Sequence, residues 1–116
     1  MWRLTLMSAW GQTFYGTCQV NVVGSNVMMV AEVSGQALLW DGLVHFFAER
    51  SIFRGSVMGV NVVAACIEAM RMVDGMAVPV PGLPIRLNAV LGDNGHSING
   101  TVVNSLGETT RILLSI

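Results

Sequence analysis

Residues 34–75 read SGQALLWDGLVHFFAERSIFRGSVMGVNVVAACIEAMRMVDG, and the spacing of apolar residues in this stretch decides how the chain is classed. Ala37, Trp40, Val44 and Phe47 recur at three- and four-residue intervals, with Leu39, Leu43 and Phe46 widening the stripe. Asp41, His45, Glu49 and Arg50 take most of the remaining arc, which predicts an amphipathic helix capped by Ser34. After a loop over 51–55, Ser56 is placed to cap a second helix. There Val60, Val63, Ala64, Ile67 and Met70 form one stripe and Val62, Cys66, Ala69 and Val73 another, until Gly75 stops it from the C′ position. A helix apolar on two sides is expected at the centre of the fold or against another subunit.

Outward from this stretch the pattern changes to alternation. Trp2, Leu4 and Leu6 alternate with Arg3, Thr5 and Met7, and Cys18, Val20 and Val22 alternate with Thr17, Gln19 and Asn21. Gly24-Ser25-Asn26 turns the chain into a third strand, Val27 to Ser34. On the far side, Ile85, Leu87, Ala89 and Leu91 alternate up to the hairpin signal Asp93-Asn94-Gly95. Strands over Ser97–Asn104 and Thr109–Ile116 follow. Three prolines between Val78 and Pro84 resist ladder pairing, so that segment reads as a connector or a protected edge. The order β-β-β-α-α-β-β-β predicts an α+β fold: an antiparallel sheet of about six strands packed against two helices, as one domain over residues 1–116.

Charge is scarce. Only 11% of the 116 residues are charged, against about a quarter in an ordinary soluble protein, and none falls between Leu4 and Ala31. A chain this small and 53% hydrophobic is expected to bury apolar surface against a partner, which makes a homo-oligomer, a dimer or higher, the leading expectation. All six basic residues are arginines, scattered without a stripe that would track a phosphate backbone, so nucleic-acid binding is disfavoured. The uncharged N-terminal stretch carries Gln12, Gln19, Asn21 and Asn26, which is strand-and-turn chemistry rather than a membrane helix of about 20 apolar residues. Its opening apolar run is too short for a signal peptide. These readings place the protein in the cytoplasm, with no membrane partner. Cys18 and Cys66 form no Cys-x-x-Cys motif and are expected to be buried small hydrophobes.

Few residues are equipped for chemistry. On a helix Asp41, His45 and Glu49 would share one face, where the carboxylates could orient the imidazole as a base. The plainer reading is a solvated helix face, and no catalytic residue is assigned beyond these candidates. His96 sits in a hairpin tip beside Asp93 and Ser97, too close in sequence to build a triad. Gly55-Ser56-Val57-Met58-Gly59 lacks the lysine and third glycine of nucleotide loops. No metal spacing is present and no cofactor is implied. Eight methionines and three tryptophans are the remaining signal, with Trp10, Met29, Trp40, Phe47 and Met70 the expected lining of any apolar ligand site.

Three functions follow. The leading expectation is an oligomeric assembly or interaction protein, with an accessory or mobile-element origin as one reading. The alternative is a binding module for an apolar small molecule in a Met- and Trp-lined cavity. A small hydrolase- or isomerase-like enzyme using His45 with Asp41 or Glu49 comes third.

Overall fold

The central stretch is strand, not helix. The computed structural model describes residues 1–8, 11–39 and 41–116, and in it Val44–Met58 and Asn61–Val73 are two long antiparallel strands. The α+β expectation is thereby corrected to an all-β fold, whose helical content among the described residues is a single 3-10 turn at Asp93–Gly95.

The helical spacing has a specific origin. Val62, Ala64 and Cys66 face inward, but the register against the preceding strand slips between Ile52 and Phe53, which pair with Glu68 and Cys66 and leave Ile67 as an extra residue. This bulge moves the inward face from even to odd positions, so Ala69 and Val73 pack on the core beyond it. Val62, Cys66, Ala69 and Val73 are thus one inward strand face that carries a helix-like 4-3-4 spacing. Gly75, expected to stop a helix, instead turns a hairpin together with Asp74, both at positive φ (80° and 50°).

Nine strands are described: β1 Trp2–Ser8, β2 Thr13–Val23, β3 Asn26–Leu38, β4 Val44–Met58, β5 Asn61–Val73, β6 Met76–Val78, β7 Ile85–Gly92, β8 Ser97–Val103 and β9 Thr109–Ser115. Each neighbour is antiparallel, and the order β4-β3-β2-β1-β9-β8-β7-β5 closes through a β4–β5 ladder into an eight-stranded barrel. Closure gives each of these eight strands a ladder partner on both sides, which is how an up-and-down barrel limits edge pairing. The short β6 pairs only with the upper part of β5, through Arg71–Val78 to Val73–Met76, while β7 takes its lower part from Asn61 to Cys66. The proline segment 79–84 runs on from β6 and is tied down where Ser105 N–H donates to the Gly82 carbonyl at 2.8 Å.

Gly16, Gly55 and Gly100 permit close strand contact, Gly100 lying against Asn88 and Ala89 of β7. A Cβ on Gly16 would overlap the Glu32 carbonyl of β3, and one on Gly55 would overlap the Val63 carbonyl of β5. Neighbouring strands therefore cross closely where these side chains are missing. The inward faces form one core: Leu4, Cys18, Met29, Val62, Cys66, Leu87 and Leu114 are each at most 1% exposed. Among the described residues no helix is long and apolar enough to cross a membrane.

Candidate functional site: the cavity at one end of the barrel

An eight-stranded barrel has an interior just wide enough for side chains to fill it or for one small ligand to be held. Both conditions occur here, at different levels. Toward the end that carries the β2–β3, β4–β5 and β7–β8 turns, Met29, Val62, Leu87, Ile98 and Leu114 fill the lumen. Toward the other end the inward side chains shrink to Ala31, Ser51 and Thr110, and a cavity of about 520 Å³ opens. Leu4, Leu6, Val33, Phe53, Ile85, Val102 and Ile112 make its apolar wall, and Val80 and Pro81 of the proline segment lie against it. Asn104, Glu108 and Thr109 stand around the β8–β9 connection.

One wall is charged. Glu49 on β4 and Arg71 on β5 are direct cross-strand partners, and Arg71 places Nε at 2.9 Å and Nη2 at 2.8 Å from the same oxygen, Glu49 Oε1. Their side chains are 15% and 29% exposed. The guanidinium also lies over the Phe47 ring, 5.1 Å from its centroid, and Phe47 in turn packs on Phe14 with centroids 5.3 Å apart. An arginine held by a carboxylate on one side and an aromatic face on another has little rotamer freedom left. Below it, burial pushes the Cys66 thiol up, and burial pushes Cys18 up to about 11, so neither is a reactive thiolate.

His45 has a different setting. It sits near the start of β4 and its ring nitrogens lie 2.6 Å from Asp74 Oδ2 and 2.7 Å from Asp41 Oδ2. Those bonds, to Asp74 first and Asp41 second, raise the imidazole above its ordinary 6.5 and favour the charged form. With both ring nitrogens engaged by carboxylates, the imidazole clamps the turn after β3 to the turn after β5. His96 lies at the opposite end of the barrel in the β7–β8 turn, bonded through Nδ1 to the Asp93 carbonyl at 2.8 Å. Among the described residues no group of three or more His, Cys, Asp or Glu is arranged to hold a metal ion.

The residues singled out from the sequence scatter. Asp41 and His45 meet, but Glu49 pairs with Arg71 instead, because four residues span roughly 13 Å along a strand and only about 6 Å along a helix. Met29 is in the filled half of the core and Met70 is 64% exposed on the outer face of β5. Phe47 is buried behind Arg71, and Trp10 and Trp40 lie outside the described residues. Ser51, Arg71 and the aliphatic wall went unassigned. Once β4 and β5 are strands, Glu49 and Arg71 stand out as inward-facing charges, between Phe47 and Phe53 on β4 and between Ala69 and Val73 on β5.

No family model matches the chain, and no curated protein matches it at a significant level. Solved structures do. The chain is similar to a redesigned β-barrel, mFAP1, bound to DFHBI, with 14% identity over 99% of this chain and 91% of that chain and a TM-score of 0.56. It is also similar to the redesigned β-barrel b11L5F_LGL, at 15% identity, 99% and 87% coverage and a TM-score of 0.55. A third, the redesigned β-barrel mFAP0 bound to DFHBI, aligns at 14% identity over 99% and 94% of the two chains, with a TM-score of 0.51. At these identities the likeness is one of fold: an antiparallel β-barrel closed along nearly the whole chain.

Proposed function

We propose that the protein binds a small, largely apolar molecule in the cavity at the β3–β4, β5–β6 and β8–β9 end of the barrel. The observation that carries this reading is the cavity itself, about 520 Å³ with an apolar wall and a few convergent polar groups. That volume lies within the range of about 300–1,000 Å³ typical of ligand sites. Two barrels of similar fold are described as bound to DFHBI, which supports a lumen of this architecture as a ligand site. Nile red, a neutral dye that brightens in apolar surroundings, tests the idea. Emission should rise and shift to the blue with the wild-type protein, and Ala31→Phe, which puts bulk into the cavity, should abolish the effect while leaving the melting temperature within a few degrees. No change in emission with the wild type, or equal binding by Ala31→Phe, would overturn it.

A second reading rests on the outer face. Phe46, Met58, Val63, Ile67 and Met70 are 45–69% exposed on β4 and β5, and this apolar exterior supports association of barrels into a dimer or larger assembly. Sedimentation at micromolar concentration should then show more than one chain per particle, with Ile67→Glu shifting it toward one. A monomer at every concentration would remove this reading.

A further inference from the structure

The Glu49–Arg71 pair does more than hold the wall together. Burying an ion pair is seldom the most stable way to fill a lumen, since an apolar pair of similar volume does as well or better. Here the pair sits on the inward face beside a cavity whose apolar wall includes Leu4, Leu6, Phe53 and Ile112. Both Arg71 donors used on Glu49 converge on the single oxygen Oε1, which leaves Oε2 and the Nη1 hydrogens over. Glu49 and Arg71 both line the cavity, and no buried side-chain nitrogen or oxygen among the described residues lacks a partner, so these unused groups keep accessible surface rather than being sealed in the wall. The cavity therefore has a strong acceptor and a strong donor side by side, held by the Phe47 ring behind the guanidinium.

The charge balance then selects the ligand. Glu49 and Arg71 cancel, and Glu108 on the rim adds a further negative charge. An anionic ligand is repelled by the Glu49 and Glu108 carboxylates, and a cationic one, though drawn to them, offers no acceptor to the free Arg71 donors at the pair. A neutral group with an adjacent acceptor and donor satisfies both members of the pair without a net charge of its own. We infer that the Glu49–Arg71 pair reads the amide-type edge of a neutral, otherwise apolar ligand, such as a carboxamide, lactam or urea, with the carbonyl accepting from Arg71 and the N–H donating to Glu49. This rests on the proposed binding of an apolar molecule in the cavity and adds the chemistry of its polar end.

Four ligands with one bicyclic body separate the two claims: naphthalene-2-carboxamide, naphthalene, 2-naphthoate and 2-naphthylmethylammonium, each titrated as a competitor of Nile red. On the wild type the carboxamide should bind about tenfold or more tighter than the other three, the scale of hydrogen bonds to charged groups. The Glu49→Leu/Arg71→Met double variant keeps the wall filled, and there carboxamide and naphthalene should differ by less than about threefold. Nile red binding with no carboxamide preference, a preference for the naphthoate, or a preference that survives in the double variant would overturn the edge-reading pair alone. Failure of Nile red to bind the wild type would overturn the binding reading beneath it.

Discussion

His45 and Asp74 are 29 residues apart and meet at 2.6 Å, Nδ1 to Oδ2, across two different hairpins at the cavity end of the barrel. Asp74 also accepts from the Phe46 N–H through Oδ1 at 2.9 Å, and its own N–H donates to the Phe46 carbonyl at 2.8 Å. The second imidazole nitrogen reaches Asp41, whose other oxygen accepts from Leu43 N–H at 3.0 Å. One side chain thus ties the turn after β3 to the turn after β5.

That tie is pH-dependent with a defined sign. The imidazole is raised above 6.5, so its contribution is complete below 6.5 and drains away as pH rises through the raised value. Asp74, lowered below 3.8 mainly by His45 and then by Phe46 N–H, contributes above 3.8 and loses this as pH falls through its lowered value. Asp41, lowered mainly by Leu43 N–H and then by His45, behaves as Asp74 does. The difference in melting temperature between wild type and His45→Gln should be largest between 3.8 and 6.5 and shrink at alkaline pH. A gap that is the same at about pH 5 and about pH 9 contradicts the assignment.

Removing one member of the Glu49–Arg71 pair should cost more than removing both. Arg71→Met leaves a partly buried carboxylate without its partner. Full burial would make that cost about 3–5 kcal/mol, and water reaching the 29%-exposed Arg71 site reduces it to about 1–3 kcal/mol. The Glu49→Leu/Arg71→Met double variant should recover most of this in urea unfolding. A double variant no more stable than Arg71→Met would show that the pair is not coupled.

Cys18 and Cys66 are free, fully buried and shifted toward the protonated thiol. Neither should react with an aromatic disulfide reagent over minutes in buffer, and both should titrate at once in denaturant. Rapid labelling of the native protein would mean that the core opens locally.

Gly55 lies against Val63 and Ala64 of β5 with no room for a side chain. Gly55→Val should destabilise the barrel by about 1–3 kcal/mol or more, as overpacking does, whereas the adjacent exposed Arg54→Gln should stay within about 0.5 kcal/mol. Equal effects of the two would remove the close strand crossing as a determinant of closure.

The strands of the first and last thirds were legible because one face of each meets the core and the other meets solvent, as in Leu4, Cys18, Leu87 and Ile112 against Arg3, Gln19, Arg86 and Arg111. The centre was not. β5 is apolar on both faces, with Val63, Ile67 and Met70 outside and Val62, Ala64 and Cys66 inside, so no alternation shows, and its bulge at Ile67 turns a period of two into a helical interval. Asp74-Gly75 was a hairpin signal that also suits a helix end, since both need positive φ. The cavity wall was hidden by the same misreading: Glu49 and Arg71 are 22 residues apart, and only β4–β5 pairing makes them neighbours.

Local chemistry was enough to place six of the strands, the turns at Gly24 and Asp93-Asn94-Gly95, the proline segment without ladder pairing, and the scarcity of charge. These depend on neighbours a few residues away. Barrel closure, the choice of strand over helix between Val44 and Val73, and the cavity beside Glu49 and Arg71 depend on contacts between residues far apart in the chain. A stretch apolar on all sides satisfies either local geometry, and long-range ladder pairing around a shared core settles which one forms.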